Sequence, residues 1–172
     1  LTIGAMTTYT EIVRSVEAKA RPILGEVCAT IADVQVRNRG TIGGNICVND
    51  PTNHFPPLLV ALGASMTIRG TGGERTVSAE EFFLGVYLTA VGEGELLTRV
   101  SVPTRTSGTG DAMTGVTLGT HGTYVVSAAA NVGPSGVRVA IGCVSSVPER
   151  ATAMEQGLAG GDYSEATVKA AA

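Results

Sequence analysis

Ile31-Ala32-Asp33-Val34-Gln35-Val36-Arg37-Asn38-Arg39-Gly40-Thr41-Ile42-Gly43-Gly44-Asn45-Ile46 is the stretch on which the reading of this chain turns. It begins at the end of an apolar helical stripe and runs into residues 37–55, where Gly, Asn, Thr, Asp and Pro replace any periodic pattern. An irregular stretch of that length in a compact domain is usually functional or disordered. At its centre, Gly43 and Gly44 are adjacent and flanked by polar residues. Paired glycines can present successive backbone N–H groups with no Cβ in the way, which is how a loop cradles a phosphate or pyrophosphate. A tight turn with a hydrogen-bonding rim uses the same residue types. Spacing alone leaves both readings open.

Upstream, Thr8 and Glu11 have capping-box spacing, and Ile12, Val13, Val16 and Ala20 follow at near-helical intervals, predicting a first helix to about Pro22. Pro22 then opens a second helix, whose stripe of Ile23, Val27 and Ile31, with Leu24 and Cys28 offset, ends near Asp33. Downstream, Pro56 and Pro57 introduce a short buried helix over residues 58–62, closed by Gly63. Residues 66–69 and 74–77 read as a hairpin about Gly70-Thr71-Gly72-Gly73, which lacks the strand-before, helix-after context of a phosphate loop. Ser78 and Glu81 form a second capping box, and Leu96, Thr98, Val100 and Val102 alternate as one face of a strand ended by Pro103. Residues 105–110, with no apolar side chain, read as a linker between residues 1–104 and a second unit over 111–172. That unit carries strand-like runs at 123–132 and 137–144 about a Gly133-Pro134-Ser135-Gly136 turn. A helix over 148–158 follows, with Ala151, Met154 and Leu158 inward, and a further helical pattern starts at Ser164. The order predicts an α+β unit with helices on one face of an antiparallel sheet.

Bulk properties exclude several classes. The 172 residues carry a formal charge of −3 with no Lys/Arg run, so no footprint for nucleic acid or an anionic membrane is visible. The longest apolar stretches fall far short of the roughly 20 residues of a membrane span. Cys28, Cys47 and Cys143 are isolated and odd in number, which fits reduced thiols in a cytoplasmic protein. The start at Leu1 and the uncapped end at Ala172 both read as internal points of a longer chain. No carboxylate pair has acid–base spacing, His54 and His121 are the only histidines, and no metal-ligand spacing occurs, so neither a catalytic residue nor a metal site is expected in the chain.

Taken with Asp50-Pro51 and residues 56–64, the opening block resembles the signature of the FAD-binding (medium) subunit of the molybdenum hydroxylases, the family of xanthine dehydrogenase and aerobic carbon monoxide dehydrogenase. Residues 81–87, 95–98, 139–142 and 148–151 resemble later family blocks in the same order. The resemblance implies an α+β fold: the C-terminal part of an FAD-binding domain of the vanillyl-alcohol-oxidase/PCMH type, followed by a small α+β C-terminal subdomain. It also implies FAD held non-covalently between subdomains of an oxidoreductase component. Electrons would arrive through [2Fe-2S] clusters on an iron–sulfur small subunit, from the molybdenum-pterin site of a molybdopterin-binding large subunit, and leave to an external acceptor.

Carried over by position, Thr41, Ile42, Gly43, Gly44 and Asn45 match the second of the family's two flavin pyrophosphate loops. Ile31 matches a residue packing near the cofactor, and Leu97 one contacting it from the loop before a strand. His54 stands where the family commonly has Asp, and a neutral imidazole cannot supply the same acceptor geometry. A flavin contact and an ordinary surface-loop histidine are both open there. Over residues 113–124, Gly115, Gly119, His121 and Thr123 stand where the family often has basic residues and an Asp. The family's first Gly-rich loop, from a small N-terminal subdomain, has no counterpart here. That absence motivates an alternative, a non-catalytic assembly module that no longer binds flavin; a stand-alone flavin oxidase or reductase is a third reading.

Overall fold

The computed structural model describes residues 1–119 and 123–172. Two antiparallel four-stranded sheets organise them. The first half of the chain runs β1 (Thr2–Gly4), α1 (Tyr9–Arg14), a 3-10 turn (Glu17–Ala20), α2 (Ile23–Thr30), α3 (Val34–Arg39), α4 (Ile42–Val48) and α5 (Phe55–Ala61). It continues through β2 (Ser65–Gly70), β3 (Gly73–Ser78), α6 (Ala79–Phe82), the small pair β4 (Phe83–Gly85) and β5 (Leu88–Thr89), and β6 (Leu96–Ser101). The first sheet has the order β1-β6-β2-β3. The second, β10-β9-β8-β7, is built from β7 (Gly110–Leu118), β8 (Thr123–Gly133), β9 (Gly136–Gly142) and β10 (Glu149–Arg150), with α7 (Thr152–Gly157) and α8 (Glu165–Ala171) after it.

Local chemistry explains where these elements start and stop, including where they depart from expectation. Both capping boxes form, Thr8 with Glu11 and Ser78 with Glu81. The first helix ends at Arg14, short of Pro22, because Ser15 turns extended and its hydroxyl starts a new turn by accepting from Ala18 N–H at 3.1 Å. The second stops at Thr30, since Ile31 is extended and Ala32 takes a φ of 41°. Residues 37–55 are irregular only in part, over the 49–54 connection: Asp33 caps α3 by accepting from Val36 N–H at 2.9 Å, and Thr41 caps α4. In β6 the expected alternation breaks. Pairing shifts from Thr67↔Arg99 to Ile68↔Leu97, a bulge that leaves Thr98 unpaired, buries Val100 and turns Leu96 outward. Glu149 and Arg150, expected in a helix, pair instead with Ile141 and Ala140. β7 was not anticipated; it is an edge strand, exposed along most of its length.

A main core joins most of the elements, and a smaller cluster of Val137, Val139 and Leu158 seats α7 and α8 on β9. Leu24, Ile42, Ile46, Met66, Ile68, Phe82 and Val100 are fully buried in the main core, and every residue of α5 is buried. Ala129 of β8 and Ala140 of β9 belong to the same core, so α5 packs against the second sheet while sharing apolar contacts with the first. Each fully buried Leu, Ile or Phe contributes about 1.5–3 kcal/mol. Two arginines tie the halves together. Arg21, at the foot of α2, pairs with Asp111 of β7 at 2.8 Å with both side chains nearly inaccessible, and also donates to the Pro103 carbonyl. Arg138 of β9 reaches the end of α5, donating to Val60 O at 2.9 Å and Ala61 O at 3.2 Å, and pairs with Glu80.

Candidate functional site

The start of α4 is built by close approach to the chain segment that follows β1. A Cβ on Gly43 would meet Ala5 O at 2.5 Å and Ala5 Cβ at 2.7 Å; one on Gly40 would meet the Tyr9 ring at 2.7 Å. Thr8 and Thr41 form an isolated bridge, and Tyr9 N–H donates to Gly40 O at 3.1 Å. These contacts engage the backbone donors. Ile42 N–H donates to Thr7 O at 3.0 Å and Gly43 N–H to Ala5 O at 2.8 Å. Gly44 N–H goes to Thr41 Oγ1 and Asn45 N–H to Thr41 O, both at 3.0 Å.

Of the two readings left open for Gly43-Gly44, the structure has the hydrogen-bonded turn and not an open nest of successive amides. The pair lies in the first turn of a helix, Gly43 is buried, and its missing side chain serves backbone packing. What the segment offers outward is the exposed Gly44 and the half-buried Thr41 hydroxyl. Asn45 Oδ1 is buried and receives no hydrogen bond, alone among the buried side-chain polar atoms of the described residues. Buried acceptors without a donor are uncommon enough to mark a place where a ligand or water belongs. Beside it, burial pushes the Tyr9 phenol up, against the opposing influence of the nearby Asn45 side-chain amide.

The remaining sequence-derived residues assemble around this turn to different degrees. Ala5 N–H donates to Thr98 O at 2.9 Å while Ala5 O accepts from Gly43, so Leu97 and Thr98 lie two hydrogen bonds from α4. The Thr98 bulge frees that carbonyl, and Leu97 is half-buried against the core. Ile31 is buried in the core with Ile42 and Ile46. The surface-loop reading of His54 is overturned. Its residue is only 7% exposed, and its ring lies 4.3 Å from that of Tyr124 at a 40° tilt. Burial pushes the His54 pKa down, which favours the neutral imidazole.

Residues that sequence reasoning missed complete the surround. Asn53 Nδ2 donates to Asn45 O at 2.9 Å, tying the 49–54 connection to α4. Gly115 permits the Tyr124 ring to lie on β7, since a Cβ there would meet that ring at 2.7 Å and Val126 O at 2.5 Å. Its glycine was visible in the sequence, its partner was not. Gly119 has a φ of 71° and Thr123 begins β8, whereas His121 lies outside the described residues.

A family model described as the FAD binding domain in molybdopterin dehydrogenase matches residues 1–105. The chain belongs to this family. Among relatives, the carbon monoxide dehydrogenase medium chain of Hydrogenophaga pseudoflava is 38% identical over 176 residues, covering 99% of this chain and 61% of its own length. The nicotine 6-hydroxylase medium subunit of Paenarthrobacter nicotinovorans is 33% identical over 98% of this chain and 61% of its own. A solved structure of carbon monoxide dehydrogenase from Hydrogenophaga pseudoflava, which lacks the Mo-pyranopterin moiety of the molybdenum cofactor, superposes with a TM-score of 0.93 at 38% identity. That match covers 99% of this chain and 61% of the other. The chain thus spans about three-fifths of the length of these relatives. The α+β fold class expected from sequence is the fold of this family of FAD-binding domains. Among the described residues, no helix is long and apolar enough to cross a membrane, and no group of three or more His, Cys, Asp and Glu could hold a metal ion.

Proposed function

We propose that this chain is the FAD-binding, electron-transferring part of a molybdenum hydroxylase complex. In that complex an iron–sulfur small subunit and a molybdopterin-binding large subunit deliver electrons to the flavin, and an external acceptor removes them. When bound, FAD supplies the redox chemistry, accepting electrons from the clusters and passing them on. Residues 1–104 would be the flavin-binding unit and 111–172 the C-terminal flavoprotein subdomain. The two arginine ties hold these parts in one arrangement.

The observation that carries the reading is the family match over the residues that build the α4 turn, together with the character of that turn. The residues fit the cofactor in a particular way. Phosphate oxygens bring no donor, so they would leave Asn45 Oδ1 unsatisfied, whereas a hydroxyl of the ribityl or ribose chain would supply one. Thr41 keeps a hydroxyl proton to donate after accepting from Gly44 N–H, which suits a phosphate oxygen. Gly44 has no side chain on the exposed side, which lets an extended cofactor lie close. Neutral His54 and half-buried Leu97 would bound the site, and Ile31 would support it through the core. The three cysteines are free, which suits a cytoplasmic location.

The test is titration of the flavin-stripped protein, in its native complex, with FAD. One FAD per chain is expected, with affinity falling at least about tenfold in Gly44→Val, whose side chain would occupy the open face. Saturable binding unchanged by Gly44→Val would place the cofactor elsewhere and overturn the site.

A further inference from the structure

Two non-glycine residues in the left-handed region of backbone space meet beside the α4–α5 connection, Asn49 with φ 45° and Tyr87 with φ 55°. Asn49 takes it as the C-cap of α4, where Asn is tolerated, whereas a tyrosine holds it only where surrounding contacts offset its cost. Here the contacts run between the two. Tyr87 N–H donates to Asn49 O at 3.2 Å, and Asn49 Nδ2 donates to Gly85 O at 2.7 Å and Leu88 O at 3.3 Å. The Tyr87 hydroxyl donates to Asp50 Oδ2 at 2.9 Å, while Asp50 Oδ1 accepts from Thr52 N–H at 2.8 Å and Thr52 Oγ1 at 2.7 Å. Asn49 is 2% exposed, whereas Tyr87 is 64% exposed. The β4–β5 turn is thus strapped across the 49–54 connection from outside. From the other end of that connection, Asn53 holds the Asn45 carbonyl and His54 enters α5 against Tyr124.

We propose that Tyr87 and Asp50 are positioning residues of the flavin site: their hydrogen bond closes a strap that fixes the 49–54 connection and thereby sets Asn45 and His54. The inference rests on the flavin-binding reading above. The phenol–carboxylate bond is peripheral and its ring largely exposed, so it adds little to global stability. Its geometric effect runs along four residues into the site. A bond serving stability alone would leave the bound flavin's surroundings unchanged when removed.

The experiment compares wild type, Tyr87→Phe, Asp50→Asn and Asp50→Ala, each purified in the native complex, stripped of flavin and titrated with FAD. Affinity and the visible circular dichroism of the bound flavin are both read. Tyr87→Phe keeps the ring and removes one hydrogen bond, so the dissociation constant is expected to rise about threefold to tenfold. The flavin dichroism changes with it, while Tm moves by less than about 2 °C. Asp50→Asn keeps an acceptor for the Tyr87 hydroxyl and stays nearer wild type than Asp50→Ala, a comparison that carries the test if Tyr87→Phe misfolds. Wild-type affinity and dichroism in both Tyr87→Phe and Asp50→Ala would overturn the inference alone. A wild type that binds no FAD would overturn the functional reading, and the strap's role with it.

Discussion

Gly43→Ala puts a methyl group 2.5 Å from Ala5 O, 2.7 Å from Ala5 Cβ and 3.0 Å from the Ala5 carbonyl carbon. None of these atoms can swing aside. Ala5 is held by its own N–H to Thr98 O at 2.9 Å, and the neighbouring Thr7 carbonyl by Ile42 N–H at 3.0 Å. Relief requires α4 to back away, which breaks the 2.8 Å bond from Gly43 N–H to Ala5 O. Overpacking costs about 1–3 kcal/mol and the hydrogen bond about 1 kcal/mol, against roughly 1 kcal/mol regained from alanine's helix preference. The net loss is about 1–3 kcal/mol, which for a chain of this size lowers Tm by about 2–12 °C. Gly44→Ala is the internal control. Its Cβ would meet Thr41 Oγ1 at 3.0 Å on an exposed face, so the helix preference and a slight squeeze offset to within about 0.5 kcal/mol. Urea and thermal unfolding of both variants without added flavin measure the difference. Wild-type stability in Gly43→Ala, or a larger loss in Gly44→Ala, would refute the view that Gly43 exists for close packing on Ala5.

Arg21→Met strands Asp111 in a buried setting with only Asn131 donating to it at 2.7 Å, and urea unfolding should show a loss of about 3–5 kcal/mol. Adding Asp111→Leu should recover much of that loss, whereas equal instability of single and double variants would contradict the stranded-charge explanation. For His54, burial depresses the folded pKa below the ordinary 6.5. The unfolded chain therefore takes up the proton first, so the related stability is complete above about pH 6.5 and is lost as pH falls through the folded value. Tm measured from about pH 8 to pH 5 should fall more steeply in wild type than in His54→Gln; parallel curves would show that the imidazole is not held neutral.

Much of the fold was legible because its signals are local. The Thr8–Glu11 and Ser78–Glu81 boxes, the hairpin about residues 71–72 and the double proline in the first turn of α5 each act within a few residues. What escaped depends on partners distant in sequence. Glycines lower helix propensity, so Ile42–Val48 read as loop, yet Thr41 caps it and Ala5 requires Gly43. β7 carries Gly, Asp and Thr because it is an edge strand defined by pairing with β8. The Thr98 bulge, which inverts the faces of β6, has no marker in Leu96-Leu97-Thr98. The site divides the same way. Its motif was recognisable from residues 31–46, but that its amides are engaged internally, that Asn45 Oδ1 is left without a donor, and that His54 lies under Tyr124 follow from tertiary approach.

The most direct test of the central claim is the flavin content of the protein purified in its native complex, by acid release and quantitation against the amount of this chain. The account predicts FAD at close to one per chain, non-covalently bound and returning to the same stoichiometry after stripping and reconstitution. A complex that is intact by composition but holds no FAD, and acquires none on reconstitution, would contradict it.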